Sequence, residues 1–380
     1  MLDTALKGNR GYWTWIIALL VVMGAGFTAY LYQFQEGLRV TGMGRDVSWG
    51  FYIAQFTYLV GVAASGVMVV LPYYLHDYKA FGRITVLGEF LAIAAIIMCL
   101  LFIFVDLGNL PRFVNVIMYP QPRSILFWDM NVLNGYLLLN LLVGWNVLSA
   151  ERKGVPYQKW VKVLAYISIP WAFSIHTVTA FLYAGLPGRH YWLTAIMAAR
   201  FLSSAFCSGP ALLILLCLIV RKVTRFDPGK EQIKTLAGIV TYAMILNVFF
   251  YLLELFTAYY SQIPGHKHPI DFLFSGYLAP WMWTAAVFAL IALILMIVPA
   301  TRRKEDTLAV GCASIIIATW IDKGLGLIIG GFNPNPFERI IYYWPTFPEV
   351  IITLGVWATG FFILTVLYKI ATSVKEEVGA

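Results

Sequence analysis

Charged residues are scarce in this chain, and their scarcity excludes a soluble fold. Only 12% of the 380 residues are charged, whereas 60% are hydrophobic and the mean hydropathy is +0.76. A water-soluble protein of this size cannot bury so much apolar surface in its own core. The composition therefore predicts an integral membrane protein, with lipid as the solvent for most side chains.

Cysteine is also rare, and its positions argue against a metal centre held by this chain. The four residues Cys99, Cys207, Cys217 and Cys312 fall in apolar segments, and no two of them form a C-x-x-C pair. Zinc sites and iron–sulfur clusters generally need several such closely spaced ligands. We expect no metal site, and we expect these cysteines to be small packing residues.

Two further features are missing from the sequence, namely a signal-peptide cleavage site and a concentrated basic patch. The first apolar run is too long for the core of a signal peptide and no small-residue cleavage site follows it, so we expect a retained helix. The net charge of +8 is spread along the chain without one concentrated basic patch. This pattern is not typical of nucleic-acid binding.

Ten apolar runs are present, each with the length that a membrane-spanning helix requires. A span needs about 20 mostly apolar residues to cross about 30 Å of hydrocarbon. Within lipid, every backbone amide must be satisfied internally, and continuous runs without period-two alternation favour helices over a barrel. The predicted spans are 12–35, 49–75, 84–108, 124–149, 161–186, 191–220, 235–261, 276–299, 308–332 and 347–372.

The distribution of Lys and Arg predicts the orientation of these spans. Of the 27 basic residues, 18 fall on the side of the two termini, 7 on the opposite side, and Arg200 and Lys323 lie inside spans. Cytoplasmic loops carry the excess of Lys and Arg. We therefore expect a multi-pass protein of the cytoplasmic membrane with both termini in the cytoplasm.

Ionisable residues inside the spans are the candidate functional residues, since each costs about 2.5 to 3.5 kcal/mol to insert. Nearly all of them are predicted between the middle and the outer end of a span, which indicates a polar pocket open to the outer side. The alternative is a structural role, in which these residues cross-link helices or extend to the lipid headgroups. The outer group is Asp106, Asp129, His176, Arg200, Glu254, Asp322, Lys323 and Glu349, whereas Glu89 alone is clearly in the inner half.

Histidine within a span raises the question of haem, which the positions disfavour. Haem b needs two axial histidines at matching depth. Only His176 is well inside a span, and the conceivable partner, His190, is predicted at a different depth. A quinone site fits better, because each quinone oxygen needs a hydrogen-bond donor and a group that titrates near neutral pH, for which His is suited.

Helical spacing extends this hypothetical site by two tyrosines. His176 and Tyr183 are seven residues apart, as are Asp129 and Tyr136, so each pair lies on one face of its helix. Asp322 and Lys323 are adjacent, point about 100° apart, and need partners on other helices.

Several strings resemble the NrfD and polysulfide reductase membrane-subunit family, over nearly the whole chain. Within this family the chain resembles the DsrP branch most. The resemblance lies in the number of spans, which is ten, in the Ile321–Gly324 stretch, and in the ending after Pro345-Thr346. One departure is that this first span has no histidine, whereas the shorter relatives bind quinone there. The strings are 48–54 with 60–66, 127–129 with Tyr136, 175–179 with 187–190, and 343–346 with Glu349.

The resemblance implies a fold and a set of partners. It implies a single all-α membrane domain over 1–380, with one four-helix bundle at about 49–186, a second at about 191–332, and flanking helices at about 12–35 and 347–372. It also implies a subunit without haem or iron–sulfur cluster that exchanges electrons between menaquinone and an extracytoplasmic iron–sulfur protein like DsrO. The same complex would contain a multihaem cytochrome c and a haem b membrane subunit, as in sulfur metabolism.

Our functional hypothesis places quinol near the outer face, among spans two to five, with His176 and Asp129 as the catalytic pair. His176 would hydrogen-bond one quinol oxygen and Asp129 would pass protons outward. The chain would not be an enzyme by itself, because electrons must leave to a partner. The alternatives are a proton-translocating subunit and a structural anchor without a quinone site. The predicted quinone-binding residues are His176, Asp129, Tyr136, Tyr183, Arg200 and Trp49, and the predicted proton pathway comprises Glu89, Asp106, Glu254, Asp322, Lys323 and Glu349.

Overall fold

The computed structural model describes residues 2–378, and this part of the chain is helical without β-strands. Ten of its helices are long and apolar enough to cross a membrane, which confirms the predicted fold class. Short helices in the connecting segments are left unnumbered here. The ten are α1 (Arg10–Glu36), α2 (Phe51–Leu75), α3 (Gly82–Asp106), α4 (Ile125–Lys153), α5 (Lys159–Ala184), α6 (Met197–Val223), α7 (Lys230–Ser261), α8 (Ala279–Ile297), α9 (Glu305–Gly331) and α10 (Phe347–Val378).

Short connections make successive helices antiparallel, so that both termini lie on one side. We call the side with the loops at 37–50, 107–124, 185–196, 262–278 and 332–346 the outer face, as the basic residues predict. The side with the termini is called the inner face.

The helices pack as two groups joined through their central members. In the first group α3 contacts α2 and α4, and α4 contacts α5; in the second, α7 and α9 contact α6, and α8 contacts α9. α2 is almost entirely buried, because it also contacts α6 and α9. α1 pairs with α10, which in turn lies against α3, and Gly26 and Gly355 allow these two backbones to approach closely.

Two spans depart from a regular α-helix near the centre of the bundle. α2 is interrupted at residues 63–64, between segments Phe51–Val62 and Ser65–Leu75. α9 contains a π-helical turn, Trp320–Gly326, of the kind that often marks a functional position. Small residues let both irregular segments pack tightly, since a Cβ on Gly324 would lie 3.1 Å from the carbonyl oxygen of Ala54.

The sixth span begins later than the sequence predicts. Residues 190–196 form turns, and α6 starts at Met197. The turn is fixed by Trp192, whose indole nitrogen donates to the carbonyl oxygen of Leu327 at 2.8 Å. The outer segment before α8 also contains a helix, Pro264–Ser275, where the sequence predicts a loop, and Pro264 suits the first turn of that helix.

Candidate functional site

A buried charge cluster joins three helices of the second group. Arg200 on α6 lies between Glu254 on α7 and Asp322 in the π-helical turn of α9. Its Nη1 is 3.8 Å from a Glu254 oxygen, and its Nη2 is 3.6 Å from Asp322 Oδ1. The side chains of Arg200 and Glu254 are each only 8% exposed, whereas Asp322 is 21% exposed. One positive group thus faces two carboxylates in a nearly dry environment.

These ion pairs leave hydrogen-bonding atoms unused. Among residues 2–378, neither Arg200 Nη1 nor Asp322 Oδ1 has a hydrogen-bond partner, although both atoms are buried. Buried polar atoms are normally paired with protein groups or water. The cluster therefore presents one donor and one acceptor that a bound molecule could use.

One face of α7 completes the polar wall. Asn247, Tyr251 and Glu254 are spaced at i, i+4 and i+7, so they lie on the same side of the helix. The Arg200 guanidinium lies over the Tyr251 ring, 5.2 Å from its centroid. Tyr191, in the turn before α6, is buried beside the same charges, and this burial raises the pKa of its phenol to about 12. Tyr191 is therefore a protonated group at neutral pH.

A cavity of about 430 Å³ opens between α7 and α8 and reaches Asp322 of this cluster, with Asn247 and Tyr251 of α7 beside it. Its wall is almost entirely apolar and includes Val248, Leu255, Ala289 and Leu293. Asp322 is its charged wall residue. Its volume is within the range of about 300–1,000 Å³ that is typical of small-molecule sites.

Asp129 and Tyr183 lie together in the first group, away from the cavity. The hydroxyl of Thr179 donates to Asp129 Oδ1 at 2.6 Å, and the Tyr183 and Thr57 hydroxyls are 2.5 Å apart. The Trp49 ring packs edge-on against Tyr183, with the centroids 5.7 Å apart. These predicted site residues are close-packed and hydrogen-bonded, and none of them lines the α7–α8 cavity.

His176 is fully buried on the same side of α5 as Thr179 and Tyr183. Neither of its ring nitrogens has a hydrogen-bond partner within the described chain. Its ring packs edge-on against Phe206 of α6, so it faces the junction of the two groups. His176 does not line the α7–α8 cavity, and its assignment as a quinone ligand stays a prediction.

Two predicted proton-pathway acids lie at the outer ends of their helices. Glu349 is fully buried and accepts hydrogen bonds from the Gly42 and Thr346 amides and the Tyr343 hydroxyl, at 2.7–2.8 Å. These donors tie the outer loops to α10 and give Glu349 a structural role. Asp106 differs, because its Oδ1 has no partner among the described residues.

Glu89 lies in the inner half of the first group, and Tyr136 lies near the middle of α4. Glu89 is 2% exposed and its Oε2 is unpaired within residues 2–378. Tyr136 lies one turn from Asn140, whose side chain donates to the Tyr136 carbonyl oxygen at 2.8 Å. Tyr136 does not line either cavity beside the charge cluster that contains Arg200, so the structure does not bring these two predicted quinone-binding residues into one pocket.

Sequence reasoning identifies the charged members of the cluster but misses their polar neighbours. Arg200, Glu254 and Asp322 stand out individually as charges in lipid, whereas Tyr191, Asn247 and Tyr251 do not. The i, i+4, i+7 spacing on α7 is the signal that could have found them, because polar residues recur there on one face of an apolar span.

Comparison with known proteins places the chain in a family. Residues 39–333 match the family model described as Polysulphide reductase, NrfD. The Hdr-like menaquinol oxidoreductase integral membrane subunit of Archaeoglobus fulgidus is 26% identical, with 96% of this chain and 94% of that protein covered.

Two other relatives are subunits of reductases by name. A subunit of the selenate reductase of Mesobacillus selenatarsenatis is 23% identical, over 80% of this chain and 78% of that protein. The menaquinone reductase integral membrane subunit of Nitratidesulfovibrio vulgaris is 22% identical, over 96% and 92%. The family match covers most of the chain and confirms the resemblance seen in the sequence: the protein belongs to the NrfD polysulphide reductase family of integral membrane proteins.

Proposed function

We propose that the chain is the quinone-interacting membrane subunit of an oxidoreductase complex, with its quinone site in the second helix group. The observation that carries this proposal is an apolar cavity between two lipid-facing helices, which reaches Asp322 of the charge cluster and adjoins a small cavity lined by Arg200; Asp322 and Arg200 each have an unused hydrogen-bonding atom. Such a cavity suits a molecule with a long apolar tail and a polar head. A quinone is such a molecule.

The residues fit both parts of a quinone. The apolar wall on α7 and α8 would hold the isoprenoid tail. Arg200, which is always protonated, would donate to a quinone oxygen, and the Asp322 carboxylate would accept the proton of a quinol hydroxyl. Glu254 would hold the guanidinium in place from the other side.

Oxidation of a quinol supplies two electrons and two protons. Asp322 would take up the two protons one after the other at its carboxylate, passing on the first before the second is released, while Arg200 would stabilise the negative charge that develops on the quinol oxygen. The electrons must pass to a partner, and we propose an extracytoplasmic iron–sulfur subunit like DsrO that docks on the outer face. The names of two relatives support menaquinone as the quinone.

The wider complex and the orientation also belong to the proposal. Resemblance to the DsrP branch supports a complex with a multihaem cytochrome c and a haem b membrane subunit. The distribution of basic residues supports insertion in the cytoplasmic membrane with both termini inside. Arg200, Glu254 and Asp322 all lie towards the outer ends of their helices, which suits electron transfer to an outer partner.

A cavity-filling variant tests the site. We expect Ala289→Trp to occupy the α7–α8 cavity and to abolish labelling by a photoreactive menaquinone analogue in the purified complex, together with quinol oxidation. Ala18→Trp, at an exposed position on α1, is the matched control and should retain both. Normal labelling in Ala289→Trp would refute the proposed site.

A second function, proton translocation, is favoured by a file of polar residues along α4. Asp129, Tyr136 and Asn140 are buried on one face, which continues past Gly144 to Glu151 at the inner end. Glu89 lies against this face, 3.1 Å from where a Cβ on Gly144 would be. At the inner end, Lys375 pairs with Glu151 at 2.9 Å.

This file spans the first group from one face to the other, and Glu89 supplies the acid that an inner route requires. We expect Glu89→Gln to abolish proton uptake by liposomes that contain the complex, while quinol oxidation measured in detergent continues. Proton uptake equal to that of the unmodified complex would exclude this function for Glu89.

A further inference from the structure

Lys323 occupies the junction between the two helix groups, next to the proposed quinone site. It follows Asp322 in the π-helical turn, but its ammonium group contacts α6, where it donates to the Phe201 carbonyl oxygen at 3.2 Å. It also lies 3.9 Å from the centroid of the Phe201 ring. The residue is 5% exposed, and its Nζ is 3.6 Å from where a Cβ on Gly61 of α2 would be.

A small cavity connects Lys323 with the charge cluster. This cavity has a volume of about 10 Å³ and is lined by Arg200, Ser204, Asn247, Tyr251, Asp322 and Lys323, among others. About 10–15 Å³ is the space that one water molecule needs, and a buried water needs two to four polar partners. Asn247, Tyr251 and Asp322 line both this cavity and the larger α7–α8 cavity. The few polar residues that line the proposed quinone cavity therefore also line a water-sized cavity that reaches Lys323.

Lys323 has no carboxylate within ion-pair distance among the described residues. Its neighbour Asp322 pairs with Arg200 instead, at 3.6 Å. Arg200 cannot lose its proton in a protein, whereas the amine of a buried lysine can bind and release one. The two cations near Asp322 can thus have different roles, with Arg200 as a fixed charge and Lys323 as a group that carries protons.

Resting on the proposed quinone site, we infer that Lys323 transfers protons from Asp322 to the first helix group. In this step one quinol hydroxyl gives its proton to an Asp322 oxygen, and one electron passes to the partner's one-electron carrier; the step then repeats for the second proton and the second electron. Asp322 then gives the proton, through a water in the small cavity, to the neutral amine of Lys323, which becomes the ammonium. His176 is the next acceptor in this route, because its ring nitrogens are unpaired within residues 2–378 and its ring packs against Phe206 of α6, at the same junction of the two groups.

Proton transfer through Lys323 would give the irregular turn of α9 a function. In a regular helix two adjacent side chains point about 100° apart, and the π turn sets Asp322 towards α7 and Lys323 towards α2 and α6. One short segment thus joins the quinone site of the second group to the polar file of the first. Gly324 keeps this segment close to α2, since a Cβ there would approach the Ala54 carbonyl oxygen at 3.1 Å.

Two substitutions at Lys323 distinguish proton transfer from a fixed charge and from packing. Lys323→Arg keeps the positive charge but cannot release a proton. Lys323→Met keeps the side-chain length but has neither a charge nor a proton to transfer. We expect both variants to oxidise a short-chain menaquinol about 100-fold more slowly, as is usual for loss of a proton-transfer group. Labelling by the photoreactive menaquinone analogue should be retained. Lys369→Arg and Lys369→Met, on α10, are the controls and should turn over normally.

Each other outcome overturns the inference. Quinol oxidation retained in Lys323→Arg would show that Lys323 acts only as a fixed positive charge. Quinol oxidation retained in Lys323→Met would show that Lys323 has only a packing role. If the Lys323 variants fail to assemble, Ser204→Val tests the same step, because the larger side chain fills the water-sized cavity without removing a charge. Unchanged turnover together with an unchanged solvent isotope effect in Ser204→Val would overturn the inference. Absence of labelling and quinol oxidation in the unmodified complex would instead refute the proposed quinone function.

Discussion

Removal of the Arg200 guanidinium should separate stability from function in this protein. Arg200 holds Glu254 at 3.8 Å and Asp322 at 3.6 Å in an environment where its own side chain is 8% exposed. In Arg200→Met both carboxylates lose their counter-charge. Breaking a buried ion pair by removal of one partner costs about 3–5 kcal/mol, because an uncompensated charge remains. We expect the free energy of unfolding of the purified protein, measured by titration with SDS in mixed micelles, to fall by about that amount.

The triple variant Arg200→Met, Glu254→Gln, Asp322→Asn removes all three charges together. Replacing a complete buried charge cluster by neutral groups is often close to neutral for stability. We therefore expect its unfolding free energy to return to within about 1 kcal/mol of the unmodified protein, while quinol oxidation by the complex stays lost. A single variant that costs less than about 1 kcal/mol would show that the three charges are not coupled. A triple variant with normal quinol oxidation would refute the role of the cluster at the quinone.

Two further predictions concern residues outside the cavity. Glu349→Gln places a side-chain NH2 group against donors from Gly42, Thr346 and Tyr343, so we expect a loss of about 1–3 kcal/mol in unfolding free energy; an unchanged value would contradict the structural role. His176→Ala should retain labelling by the menaquinone analogue, because His176 does not line the cavity. The same variant should oxidise quinol slowly, because the proposed proton acceptor is lost. Lost labelling with an intact fold would place the quinone in the first helix group instead.

The fold is largely predictable from the sequence for a physical reason. Lipid cannot satisfy backbone amides, so each apolar run of sufficient length must be a helix. The predicted start of α6 is too early, because the apolar residues Tyr191 and Trp192 continue the hydrophobic run although they lie in a turn. Such residues are buried by tertiary contacts, here with Leu327, that hydropathy does not reveal.

The candidate site is predictable only in part. The high cost of a charge in lipid singles out Arg200, Glu254 and Asp322, but it does not say which helices bring them together. The π-helical turn that directs Asp322 and Lys323 to different neighbours leaves no local sequence signal that we recognise. The cavity depends on the gap between α7 and α8, which follows from packing across the whole second group.

The position of the quinone can be mapped by finding where a photoreactive menaquinone analogue attaches to this chain in the intact complex. A quinone site in the second helix group should give labelled peptides from α7 and α8, within residues 244–259 and 282–293, with labelling competed by unmodified menaquinone. Labels confined to α4 and α5 around Asp129 and His176, with none on α7 or α8, would contradict it.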